Sequence, residues 1–220
     1  MLNLGEKMMA EALNNTDTLA NTTRETGDGI QLFPREYRDL DWVPRWGIAR
    51  VIRRQTVAAH SYFVSLYADI LARELGLSAE DHLSLVTSAL YHDIEECYTS
   101  DNPGPVKHAT VDKVKYDGYI KVNNERRFGA TPECPPHLKV VLKIADLFEE
   151  TVYLFGEMQQ GNLAVKHMAE ASKHRLMAKV SELNVSDSVK SSLSQKLLDS
   201  LYCELNTTSK GVVDVSTVAS

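Results

Sequence analysis

Residues 134–162 read CPPHLKVVLKIADLFEETVYLFGEMQQGN. Proline near the start and Gly161-Asn162 at the end are the punctuation of a helix. Between them Leu138, Val141, Leu142, Ala145, Phe148, Val152 and Phe155 recur at spacings of three and four, the period of an amphipathic helix. Asp146 lies inside this stretch, among Ile144, Ala145, Leu147 and Phe148. A carboxylate so placed is partly buried, and a buried charge must be paired or must bind an ion. A salt bridge to a neighbouring helix satisfies that need as well as an ion does.

The flanking segments have the same period. From Val57, apolar residues fall at Phe63, Leu66, Ile70, Leu71 and Leu75, and Gly76 closes the run. Ser78 followed by Asp81 predicts the N-cap of a helix over 79–93. The run TSDNPGPVK (99–107) is a loop by its Gly, Pro, Asn and Asp content. A weaker helix is predicted over 110–124, and helical periodicity returns over 163–205. No stretch reads as a paired strand. The expected fold is all-α, a compact domain of about five to seven helices. We expect residues 1–40 to form a flexible extension carrying a short helix (LGEKMMAEALNN), residues 41–205 the domain, and residues 206–220 a polar tail.

Composition narrows the function classes. The chain has 220 residues, 43% hydrophobic and 25% charged, with a formal net charge of −6. The acidic balance disfavours a role in coating duplex DNA, and no stable nucleic-acid binding is expected. No window approaches the ~18 consecutive apolar residues of a membrane span. Cys97, Cys134 and Cys203 are far apart and odd in number, matching neither a zinc nor a disulfide framework. A reducing, cytoplasmic setting is expected.

Four metal-ligand types fall on predicted helices: His60, His92, Asp93 and Asp146. Two imidazoles and two carboxylates suit a divalent transition ion. Neighbours on a helix point about 100° apart, so His92 and Asp93 share one ion only if it sits over the flank of the helix near its end. Each alone has a blander reading, a packed histidine or a chance dipeptide. Arg45, Arg50, Arg53 and Arg54 form a basic block in an acidic chain. Arginine forks match phosphate oxygens, although most charge runs are solvated faces. Trp46 beside Arg45 is suited to stacking on a sugar or base, or to lidding the core. Glu96 lies three residues after Asp93, on the same helical side, within reach of an attacking water.

These residues, in this order, resemble the HD superfamily of metal-dependent phosphohydrolases, whose pattern is H…HD…D. YHDIEECYTSDNPGPVK (91–107) is similar to the corresponding segment of 5′-deoxynucleotidases, and Arg45-Trp46 precedes His60 as it does there. The resemblance covers about residues 43–160 and extends to the phage dATP triphosphohydrolases. It implies a metal held by His60, His92, Asp93 and Asp146. The ion would be Co, Mn or Zn, with a second Mg on the phosphates as an option. It implies Glu96 and Asp93 in catalysis, Arg45 and Lys107 on phosphate, Asp101 and Trp46 on the deoxyribose, and Ile48 and Pro105 along the base. One departure is Ala59, where the family often has an acidic residue before the first metal histidine; the phage-type branch is favoured by it. A homo-oligomer in the cytoplasm of a bacterium or phage-infected host is also implied.

In such enzymes the metal polarises a phosphoryl oxygen and lowers the pKa of water, which attacks the α-phosphorus. The same bond breaks in dATP and in dAMP, so the resemblance leaves a dATP triphosphohydrolase and a 5′-deoxynucleotidase in competition, with dATP favoured. Cyclic-nucleotide phosphodiesterases and (p)ppGpp hydrolases share H…HD…D but lack the Arg-Trp word and the DNPGPVK loop. A helical interaction module with an inert site is the non-enzymatic alternative.

Overall fold

The computed structural model describes residues 34–102 and 112–203. These residues contain seven α-helices: α1 (Val57–Glu74), α2 (Ala79–Tyr91), α3 (Glu96–Thr99), α4 (Lys113–Phe128), α5 (Lys139–Gln159), α6 (Lys166–Ser181) and α7 (Asp187–Cys203). A 3-10 helix over Arg35–Asp41 precedes them. The one extended pairing among the described residues is an isolated bridge between Pro44 and Thr56. The all-α expectation therefore holds. The short helix expected near the N-terminus, Pro105, Lys107 and the C-terminal tail lie outside the described residues.

Local chemistry sets the helix ends. Thr56 caps α1 by accepting from the Ala59 N–H, and Ser78 caps α2 by accepting from the Asp81 N–H, as its sequence predicts. Gly76 ends α1's last turn at φ 63°, a conformation that costs a side chain but not glycine. The periodicity over 163–205 resolves into α6 and α7.

Helix α5 is the centre of the domain. It packs against α1 and α6 and more lightly against α2 and α7. Ile144, Ala145 and Leu154 are fully buried, beside Leu138, Leu147 and Phe148. The buried side of α1 differs from the side its largest residues mark. Val57, His60, Ser61, Val64, Ser65, Ala68, Leu71 and Ala72 face inward, while Phe63, Leu66 and Ile70 are exposed. Small side chains let α1 approach both α2 and α5 closely, and that approach brings His60 to the site. A second cluster of Leu40, Val57, Ile94 and Phe128, with Tyr37 stacked on Phe128 and edge-on to Tyr91, holds the chain after α2 against α4.

Candidate metal centre

Three elements converge on one point. α1 supplies His60, the end of α2 supplies His92 and Asp93, and α5 supplies Asp146. His60 Nε2 lies 3.2 Å from Asp146 Oδ1, 3.6 Å from Asp93 Oδ2 and 3.2 Å from His92 Nε2. His92 Nε2 is 3.1 Å from Asp93 Oδ2. Ligand atoms of His60, His92 and Asp93 all fall within 4.8 Å of one another. α2 ends at Tyr91, with His92 as its C-cap. The turn that follows lets the adjacent pair face one point, as the sequence requires.

The far nitrogens of both imidazoles are committed. His92 Nδ1 donates to the Ala89 carbonyl at 2.7 Å, and His60 Nδ1 donates to Glu149 Oε2. Each Nδ1 therefore carries its hydrogen, and both Nε2 atoms face the centre, where their 3.2 Å approach accommodates at most one proton between them. Two ring lone pairs and the carboxylates of Asp93 and Asp146, gathered in a mostly buried pocket, are a donor set completed by a cation. The residues present fit a divalent metal.

Glu149 escapes the sequence reading. Ala59 leaves His60 without a carboxylate from its own helix, and Glu149 supplies one from α5, three residues after Asp146 and on the same face. The signal is a polar series at helical spacing: Asp146, Glu149, Tyr153 and Glu157 are spaced by three, four and four.

The electrostatics are those of opposed charges out of water. Burial acts to lower the His92 pKa, but Asp93 and Asp146 outweigh it and bring the imidazole up to about 9. Burial acts to raise the Asp93 and Asp146 carboxyls; the facing histidines, with Lys143 at Asp146, hold both well below the usual carboxylate range. Lys143 Nζ donates to Asp146 Oδ2 at 2.6 Å, leaving Oδ1 toward His60.

Of the remaining expected residues, Arg45, Glu96 and Asp101 lie near this centre. Arg45 Nη1 is buried 4.0 Å from Asp93 Oδ2, without a hydrogen-bond partner among the described residues. Glu96 is buried; burial, then Asp93 and Asp101, push its carboxyl up to about 9. Asp101 acts electrostatically on both Arg45 and Glu96. Trp46 and Ser100, at φ 65° and 64°, are the non-glycine residues with positive φ among the described residues. They stand beside Arg45 and Asp101, and such backbone strain concentrates at ligand sites. The Trp46 ring stacks on Tyr153, with centroids 5.3 Å apart. Ile48 is on the same loop and 78% exposed.

Residues 33–117 match the family model described as YfbR-like, 5′-deoxynucleotidase YfbR-like. The matched stretch holds Arg45, Trp46, His60, His92, Asp93, Glu96 and Asp101. It is 40% identical over 75 residues to the 5′-deoxynucleotidase YfbR of Salmonella arizonae, covering 31% of this chain and 36% of the relative. It is 31% identical over 100 residues to YfbR of Escherichia coli O127:H6, covering 43% and 49%. The chain thus spans less than half the length of these curated relatives. A solved structure of the cyanophage S-2L HD phosphohydrolase DatZ, bound to dA and one catalytic Zn2+ ion, superposes with a TM-score of 0.60. It is 18% identical and covers 76% of this chain and 95% of that one. A Pyrococcus horikoshii protein superposes with a TM-score of 0.52 at 21% identity, covering 74% and 94%. These likenesses show the HD-domain fold. No helix among the described residues is long and apolar enough to cross a membrane.

Proposed function

We propose that the chain is a metal-dependent phosphohydrolase that cleaves the 5′ phosphoester of deoxynucleotides, with dATP plus water giving deoxyadenosine plus triphosphate as the favoured reaction. The observation that carries this reading is the convergence of His60, His92, Asp93 and Asp146 on one point, with the buried Arg45 Nη1 beside it making no hydrogen bond among the described residues. A buried guanidinium group with an unused N–H wants an anion, and a phosphate presents one.

A divalent ion held by the four ligands supplies Lewis acidity to the phosphoryl group and acidifies the attacking water. The chain's own residues do the rest. Arg45, with Lys107, orients the α-phosphate and neutralises charge that builds on its oxygens. Glu96 enters as an acid. Burial is the largest cause of its raised pKa, so it holds a proton at neutral pH and delivers it to the 5′ oxygen as that oxygen leaves. Trp46 and Asp101 hold the deoxyribose, Trp46 crowding the 2′ position, and Ile48 and Pro105 line the base.

Arg50, Arg53 and Arg54 on the loop after Trp46 support a substrate with a polyphosphate tail. The names of the curated relatives favour a second reading, a 5′-deoxynucleotidase acting on monophosphates. Product analysis with Co2+, Mn2+, Zn2+ or Mg2+ and each of dATP, dAMP, ATP and dGTP separates the two. Deoxyadenosine and intact triphosphate from dATP, with ATP and dGTP largely untouched, is the expected result. Phosphate released from several deoxynucleoside monophosphates, with dATP resistant, replaces it by the second reading. No turnover with any metal contradicts both.

A further inference from the structure

Four side chains form one directional line from the loop to the candidate metal centre. Trp46 Nε1 donates to Gln55 Oε1 at 2.9 Å. Gln55 Nε2 donates to Glu149 Oε1 at 2.5 Å. The other oxygen of Glu149 accepts from His60 Nδ1. Gln55, Glu149 and His60 are buried, so water does not substitute for any of these partners.

The direction is fixed by chemistry at each end. An indole nitrogen only donates, so the Gln55 oxygen must face Trp46. The Gln55 amide nitrogen must then face Glu149. Glu149 Oε1 accepts from the Gln55 amide, which turns Oε2 to take the His60 Nδ1 hydrogen. His60 Nε2 is thereby left bare toward Asp93 and Asp146.

We propose that Gln55 is a positioning residue that couples the seating of Trp46 to the tautomer of His60. The sugar-facing loop and the ligating nitrogen are set by one chain of hydrogen bonds rather than independently. The tautomer half of this inference rests on the geometry alone; its consequence for metal rests on the reading of His60 as a ligand. Buried networks of this kind act cooperatively, and outer partners of metal-binding histidines typically carry about 10–100-fold in metal affinity.

The test uses Gln55→Glu, Gln55→Leu, Trp46→Phe and the Trp46→Phe/Gln55→Leu double variant of the full chain. Each is followed by His60 side-chain 15N shifts and by Zn2+ affinity. Gln55→Glu removes the amide donor from Glu149 Oε1 and sets an acceptor against it, so Glu149 is no longer held toward His60 Nδ1. We expect the His60 shifts to move toward the Nε2–H tautomer and Zn2+ affinity to fall about 10–100-fold. Trp46→Phe keeps an aromatic ring beside Tyr153 and removes the N–H together with one ring of the indole. It should lower affinity by up to about fivefold, the worth of one neutral hydrogen bond. The double variant should be no worse than Gln55→Leu alone, because both changes break the same line.

Unchanged His60 shifts and Zn2+ affinity in Gln55→Glu and Trp46→Phe, with only KM raised, would overturn the proposal and leave Gln55 as a loop fastener. Additive effects in the double variant would also overturn it. If Gln55→Glu does not fold, Trp46→Phe, which keeps an aromatic ring at that position, decides by the same two readouts. If the wild-type chain binds no divalent ion, the metal reading fails, and the His60 shifts alone then decide the relay.

Discussion

Helix α5 carries two buried carboxylate assemblies that differ in one respect. Toward its C-terminus, Glu157 is 1% exposed and its oxygens are fully used. It accepts from the N–H of Ile52 at 2.5 Å, from the N–H of Arg53 at 2.8 Å and from Asn162 Nδ2 at 2.7 Å. Tyr153 OH donates to the Arg53 carbonyl, and Asn162 Nδ2 also reaches the Arg50 carbonyl at 2.8 Å. Three turns earlier, Asp146 faces an imidazole nitrogen, near a second imidazole, Asp93 and an Arg45 Nη1 without a hydrogen-bond partner among the described residues. The Glu157 assembly is closed: fixed amide donors match every acceptor. The Asp146 assembly is open: its ring lone pairs and carboxylates converge without enough hydrogens to satisfy them. One helix thus fastens the loop after Trp46 with its closed end and gathers candidate metal ligands at its open one.

Breaking the open assembly should have the largest effect on function and a small one on stability. Asp146→Asn keeps the shape but removes the charge. Turnover should fall by more than about 10²-fold, beyond what outer partners of a metal site carry, with circular dichroism unchanged. A variant retaining about a tenth or more of the wild-type activity would remove Asp146 from the site.

Breaking the closed assembly should do the reverse. Glu157→Ala leaves the Ile52 and Arg53 amides without their acceptor, which should cost about 3 kcal/mol or more in urea denaturation. KM should rise as the loop loosens, while bound metal is retained. The sign with pH follows. Burial acts to raise the Glu157 carboxyl, but the amide donors outweigh it and leave it lowered. Its stabilisation is present above the ordinary glutamic acid pKa and is lost as pH falls through the lowered value. Glu157→Gln should flatten that acid limb; an unchanged limb would assign it to other carboxylates.

The open assembly has a pH signature of its own. With His92 brought up to about 9, its Nε2 holds a proton at neutral pH until an ion displaces it. Binding should release about one proton at pH 7.5, measurable by calorimetry in buffers of different ionisation heat. Affinity should rise with pH and level off near 9. Heats independent of buffer would contradict this.

The smallest expected effect is at Ile48. Exposed as it is, Ile48→Ala should change stability by less than about 0.5 kcal/mol. It should still raise turnover of dGTP or 2-amino-dATP relative to dATP, by removing the side chain that crowds a 2-amino group. Unchanged selectivity would take Ile48 away from the base.

Much of this was legible in one dimension because it is local. Ser78, Gly76 and the apolar period of α5 define helices through contacts within a turn or two. His92-Asp93 at a helix end follows from the same punctuation. The inward face of α1 was not legible: Phe63, Leu66 and Ile70 have the right period, yet close packing against two helices selected Ala68, Ala72 and the serines instead. The partners that finish the site were not legible either. Gln55 to Glu149, Glu149 to His60 and Ile52 to Glu157 join residues 94, 89 and 105 positions apart, and nothing local requires them. Their trace is the polar series on α5, whose partners only the fold identifies.

The most direct test of the contrast between the two assemblies is metal stoichiometry across three proteins. The wild type, His92→Ala and Glu157→Gln are each dialysed against Zn2+ or Co2+, and bound metal is counted per chain. One tightly held ion in the wild type and in Glu157→Gln, and none in His92→Ala, is the predicted result. No ion in the wild type, or equal loss in both variants, would contradict the account.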